Sequence, residues 1–141
     1  MAKRVLPVEA AELLKQGWTY LDVRSISEFE QGHPAGAANV PLMHAQGGRM
    51  TPNPDFQRVV EAHYAKDSQL VIGCQSGGRS ARAAALLGAV GYTNVVDMRG
   101  GFGGERDGMG RVNCAGWAEA GLPTAKQAEA GKSYADLSSK K

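Results

Sequence analysis

Apolar positions along the chain switch between a helical period and a strand period, and turn residues mark each switch. Over residues 7–16, Ala10, Leu13 and Leu14 recur at helical spacing behind a proline suited to a first helical turn, and Gly17 supplies a stop. Thr19-Tyr20-Leu21-Asp22-Val23 is β-branched and aromatic and predicts a strand. Ser25 with Glu28 three positions later is a capping-box pattern, opening a helix that carries Phe29 and ends at Gly32. His33-Pro34 lies in the turn before a short strand, Ala38-Asn39-Val40, closed by Pro41. Residues 43–55 hold Gly47, Gly48, Pro52 and Pro54 and read as a loop. Asn53 is placed as the cap of a helix with Pro54 at its first position, running through Phe56, Val59, Val60 and Tyr64. Leu70-Val71-Ile72 is a continuous apolar run, as a central strand buried on both faces requires, and the alanine-rich stretch 80–90 predicts a strong helix. Val95-Val96-Asp97-Met98 is the last strand expected, followed by a glycine-dense stretch over 100–110 and a short helix around Trp117. Strand and helix alternate throughout, which implies an α/β fold with right-handed crossovers and a parallel sheet covered by helices on both faces.

Size and composition narrow the function classes. A chain of 141 residues suits one compact domain and leaves no room for a separate cofactor domain. That domain is placed at 1–123, and the Ala-, Lys- and Ser-rich 124–141 is expected to be a disordered polar tail. The net charge is +2 and the basic residues are scattered, so neither nucleic acid nor an anionic membrane is indicated as a partner. No apolar stretch approaches the roughly 18 residues of a membrane span, and the first residues lack a signal-peptide core, so a cytoplasmic location is expected. The only cysteines are Cys74 and Cys114, too few for a disulfide framework or a four-cysteine zinc site, and a reducing compartment would keep both thiols free.

Chemistry concentrates after the Leu70-Val71-Ile72 strand. Ligands collect at the carboxyl ends of strands in open α/β sheets, and Cys74 stands at such an end. Gln75, Ser76, Gly77 and Gly78 are small or polar, so successive backbone N–H groups can curl around one sulfur. The following helix points its positive end at the same spot, which favours thiolate over thiol. Arg79 adds a cation able to hold an oxyanion in a fork, and the Ser80 hydroxyl is in reach to donate to sulfur. The competing reading is an ordinary buried strand-end thiol.

Taken in order, these features resemble the rhodanese (thiosulfate sulfurtransferase) family, in particular its single-domain members, including the plant senescence-associated type. The resemblance runs over roughly 5–123: Leu21-Asp22-Val23-Arg24, Glu28-Phe29, Gly32-His33, Ala37-Ala38-Asn39-Val40-Pro41, the Cys74 loop, Gly100-Gly101, and Trp117-Ala118-Glu119-Ala120-Gly121-Leu122-Pro123. It implies a rhodanese-like fold with a central parallel five-stranded sheet flanked by helices. It further implies that Cys74 takes a sulfane sulfur from a donor such as thiosulfate or a persulfide, becomes a persulfide, and passes the sulfur to a thiol or cyanide acceptor. Residues 75–80 would bind substrate, without metal or organic cofactor. Four residues stand between Cys74 and Arg79. Phosphatases and arsenate reductases built on the same fold have five, in a wider loop, and many place a histidine where this chain has Gly73. A docking module for a sulfur-relay protein, with little activity of its own, is the other alternative.

The remaining polar residues are read structurally. Asp22, Arg24 and Glu28 form an expected salt-bridge cluster, with Arg24 adding to the positive field at the mouth. His33 is a hydrogen-bonding peg for its turn, Trp117 a core anchor, and His44 and His63 are given no role. Two departures from the family bear on donor choice. Gln75-Ser76 stand where better-known thiosulfate enzymes carry positive residues, and Gly101 and Trp117 are 16 positions apart, an insertion over about 102–113. That insertion is expected to be a surface loop overhanging the site, from which Arg106 or Arg111 compensates for the uncharged loop, or Cys114 accepts sulfur from Cys74.

Overall fold

The computed structural model describes residues 3–139. Its elements are β1 (Lys3–Val5), α1 (Pro7–Lys15), β2 (Thr19–Asp22), α2 (Ile26–Gln31), β3 (His33–Pro34), β4 (Ala38–Asn39), β5 (Met43–Gln46), β6 (Arg49–Pro52) and α3 (Phe56–His63). The chain continues with β7 (Gln69–Gly73), α4 (Gly78–Ala89), β8 (Asn94–Met98), β9 (Glu105–Arg106), β10 (Val112–Cys114), β11 (Thr124–Ala125) and α5 (Tyr134–Ser138). Five strands form one sheet in the order β1-β8-β7-β2-β4, every pairing parallel. The apolar run of β7 lies at its centre. Because side chains alternate across a strand, Leu70 and Ile72 face a core shared with α3, α4 and α5, whereas Val71 faces a second core with Ala10 of α1, Phe29 of α2, Tyr20 and Trp117.

Ser25 caps α2 as its pattern requires: its hydroxyl accepts from the Glu28 N–H and the Glu28 carboxylate accepts from the Ser25 N–H. His33 Nδ1 pairs with the Phe29 carbonyl at 2.8 Å and its ring stacks on Phe29 with centroids 3.6 Å apart, so it pegs the turn. Trp117 meets Tyr20 edge to face and its indole N–H donates to the Pro123 carbonyl at 2.7 Å.

Five expectations change. The region 43–55 is a hairpin, β5 against β6 around Gly47-Gly48, whose positive φ values suit a two-residue turn between antiparallel strands. Asn53 does not cap α3: Asp55 holds that position, and Asn53 ties the loop by accepting from the Asp55 N–H and donating to the Pro41 carbonyl. Trp117 stands in a turn closed by Ala120 N–H to the Gly116 carbonyl, not in a helix. The insertion folds on itself as the β9–β10 hairpin. Residues 124–139 are not a frayed tail over their length: β11 pairs with β3, and Leu137 of α5 is 3% exposed in the core. Burying Leu137 there stabilises a short helix that composition alone argues against.

Candidate active site

Cys74 follows β7 directly, so the central strand fixes where its sulfur sits. The side chain is only 1% exposed and packs beside the α4 core. It is nevertheless not an apolar thiol without polar neighbours, because the Gly77 N–H donates to Sγ at 3.1 Å. Gly77 caps α4 with a φ of +113°, a left-handed conformation that favours glycine, and this turn aims its amide back at the sulfur.

The shape of the loop is imposed from a second loop after β8. Phe102 N–H donates to the Cys74 carbonyl at 2.7 Å and Gly103 N–H to the Gln75 carbonyl at 2.9 Å. Since a trans peptide sets C=O and the next N–H in opposite directions, the amides of Gln75 and Ser76 point away from that second loop. Gly101, at φ +62°, comes so close that a Cβ would lie 2.5 Å from the Cys74 carbonyl oxygen. Glycine-rich sequence over 100–104 thus serves as a clasp on the sulfur loop. A Cβ on Gly73 would overlap the Tyr20 hydroxyl, which explains why no larger residue precedes Cys74.

The side chains expected to assist are placed as follows. Ser80 Oγ lies 3.5 Å from Sγ, but its one proton goes to the Gly77 carbonyl at 3.2 Å, so it faces the thiol as acceptor rather than donor. Arg79 does not offer a free fork: Nη1 and Nη2 grip Glu28 Oε1 and Oε2 at 2.7 and 2.9 Å. Burial pushes the Glu28 carboxyl up, but the Arg79 and Ser25 hydrogen bonds outweigh it and hold the group down at about 2. The salt-bridge cluster is therefore two pairs, Glu28 with Arg79 and buried Asp22 with Arg24 at 2.8 Å. Arg24 reaches the site by another route, donating to Gln75 Oε1 at 3.2 Å while Phe102 covers its guanidinium at 4.5 Å. Gln75 is consequently held by Arg24 and against Gly103, where a Cβ would overlap its amide. Gly78 opens α4, and Ser76 is exposed at the loop tip.

The charged residues of the insertion engage partners other than Cys74. Arg106 pairs with Glu119 and donates to the Gly103 carbonyl at 2.7 Å, so it braces the clasp instead of facing Cys74. Arg111 is exposed near the hairpin tip, where its N–H donates to Asp107. Cys114 is buried with Sγ against Gly100 and directed at the Ala115 carbonyl, and the two cysteines are not joined in a disulfide. Among the described residues no cluster of metal-ligating side chains occurs. The clasp of Gly101, Phe102 and Gly103 was not foreseen from sequence, although the density of glycines there was the available signal.

Comparison with known proteins agrees with this geometry. The Rhodanese-like domain family matches residues 6–104. The chain is 43% identical over 115 residues to Thiosulfate sulfurtransferase 16, chloroplastic, of Arabidopsis thaliana, covering 82% of this chain and 86% of that protein. It is 45% identical over 98 residues to Senescence-associated protein DIN1 of Raphanus sativus, covering 69% of this chain but only 54% of that one. The crystal structure of Rv0390 from M. tuberculosis superposes with a TM-score of 0.75 at 26% identity, covering 89% of this chain and 98% of that one. The five-stranded parallel sheet, the Cys74 loop at its centre and these matches establish that the chain belongs to the rhodanese-like domain family.

Proposed function

We propose that this protein is a sulfurtransferase that carries a sulfane sulfur as a persulfide on Cys74. The observation that carries the reading is the Gly77 N–H aimed at Sγ from the head of α4, at the carboxyl end of the central strand. In the first half-reaction the Cys74 thiolate attacks the outer sulfur of a donor such as thiosulfate or a persulfide. A Cys74 S–S bond forms, the donor's S–S bond breaks, and sulfite or a thiolate departs with the bonding pair. In the second, a thiol or cyanide attacks the outer sulfur and Cys74 leaves as thiolate, either to a small acceptor or to a sulfur-relay protein. The outer sulfur of the intermediate is anionic, and the Gly77 amide with the positive end of α4 is suited to stabilise it. The four-residue spacing from Cys74 to Arg79, and an arginine already forked on Glu28, support sulfur transfer over phosphate chemistry.

Intact mass after incubation with a sulfane donor tests this. A gain of about 32 Da on Cys74, removed by cyanide as thiocyanate and lost in Cys74→Ser, is expected. No gain with any small donor would favour a docking module without sulfur-transfer chemistry.

A further inference from the structure

Among the described residues, Gly77 supplies the one backbone N–H that reaches Cys74 Sγ. A glycine holds such a pose poorly by itself. With no Cβ it changes conformation at little steric cost, so the peptide joining Ser76 to Gly77 can rotate and carry its N–H away from the sulfur unless a neighbour outside the loop restrains it. Two groups close in on Gly77. The Gly100 nitrogen lies 3.7 Å from where a Gly77 Cβ would be, and Arg4 Nη2 lies 3.1 Å from the same point. Gly100 belongs to the clasp already described, whereas Arg4 comes from β1 at the edge of the sheet.

Arg4 is steered to that contact. It stands opposite Asp97 in the β1–β8 register, and its Nε donates to Asp97 Oδ2 at 3.0 Å. Asp97 is buried, and its Oδ1 has no hydrogen-bond partner among the described residues. A buried carboxylate with one oxygen unmatched weakens a fold, so its presence calls for a reason other than stability. Arg24, Arg79 and Arg99 each commit two nitrogens to a carboxylate. Arg4 meets Asp97 through Nε alone, which leaves its Nη end to lie against Gly77. Paired in this way it brings little net charge to the sulfur; what it brings is a flat, rigid head.

We propose that Arg4, anchored by Asp97, is a positioning residue: its guanidinium blocks rotation of the Ser76–Gly77 peptide and so keeps the Gly77 N–H directed at Cys74 Sγ. Its part in turnover rests on the reading of Cys74 as sulfur carrier. An amide fixed in place before the reaction stabilises the sulfur anion without having to reorient as charge develops. Asp97 contributes at one remove, by holding Arg4.

Arg4→Ala would strip a buried carboxylate of its partner and confound positioning with stability, so the test uses Arg4→Lys. Lysine keeps a cation for Asp97, but a single ammonium cannot both pair with Asp97 and lie flat over Gly77. Its urea midpoint should stay near that of the wild type. Exchange of the Gly77 amide proton, followed by NMR, should be at least about fivefold faster in Arg4→Lys. The maximal rate of Cys74 loading from thiosulfate, read as the gain in intact mass, should fall by about fivefold. The donor concentration for half-maximal loading should not move, because the charge is unchanged. Wild-type Gly77 exchange in Arg4→Lys, or an unchanged maximal rate, would overturn the proposal, and so would a loss confined to the half-maximal concentration. Wild-type protein that never gains sulfur, yet whose Gly77 exchange still depends on Arg4, would overturn the sulfur-carrier reading and support the positioning of Gly77.

Discussion

The sulfur of Cys74 is positioned less by its own neighbours in sequence than by residues about 27 positions downstream, and single atoms there decide the outcome. Gly101→Ala puts a methyl 2.5 Å from the Cys74 carbonyl oxygen at a φ of +62°, so the clasp must open. We expect sulfur loading of Cys74 to fall by about tenfold or more, with about 1–3 kcal/mol lost in urea unfolding. Arg24→Ala acts differently. It leaves Asp22, 1% exposed, without its partner and frees Gln75, and should cost about 3–5 kcal/mol in the same measurement. At this scale the sequence was informative about where Cys74 stands, directly after the central strand and just before the glycines that head α4. It was misleading about Arg79 and Ser80: a side chain's donors look available until the partner that takes them is known, and Glu28 lies 51 positions from Arg79.

Helices α2 and α4 are joined across the site by the Glu28–Arg79 fork, which ties stability to pH. Glu28 drops from its ordinary 4.5 to about 2 on folding, so between those values the unfolded chain binds more protons than the folded one. The stabilisation is therefore complete above about 4.5 and disappears as pH falls through about 2. Discounted for partial exposure, it is on the order of 1–2 kcal/mol. Glu28→Gln should be less stable than the wild type by that amount at pH 7, and urea midpoints of the two should converge in strong acid. Elements with strong periodicity or caps, α1, α2, β7, α4 and β8, were readable because local pattern and tertiary role agree. The β5–β6 hairpin was not, since Met43-His44-Ala45-Gln46 lacks β-branched residues, and β1 is a three-residue edge strand whose pattern is too short to see.

For the molecule as a whole, the segment after Pro123 completes the core on the α3 side. His63 Nε2 pairs with the Leu137 carbonyl at 2.7 Å, the Asn39 N–H donates to the Lys132 carbonyl at 2.9 Å, and Leu137 is buried. Leu137→Ala should lower the melting temperature by roughly 5–15 °C, as a leucine-to-alanine change in a core of this size does. Composition hid this contribution because one leucine and one tyrosine carry it within a polar stretch. The β9–β10 hairpin is the opposite case. Its base is pinned by Trp117 N–H to the Gly101 carbonyl and by Arg106 to Glu119, while its tip closes on Asp107 alone, through the Met109 and Arg111 N–H groups. Foreign sequence spliced in between Gly108 and Met109 would be mechanically insulated from the chemistry, so this protrusion is a ready socket for grafting an epitope or a second folded module.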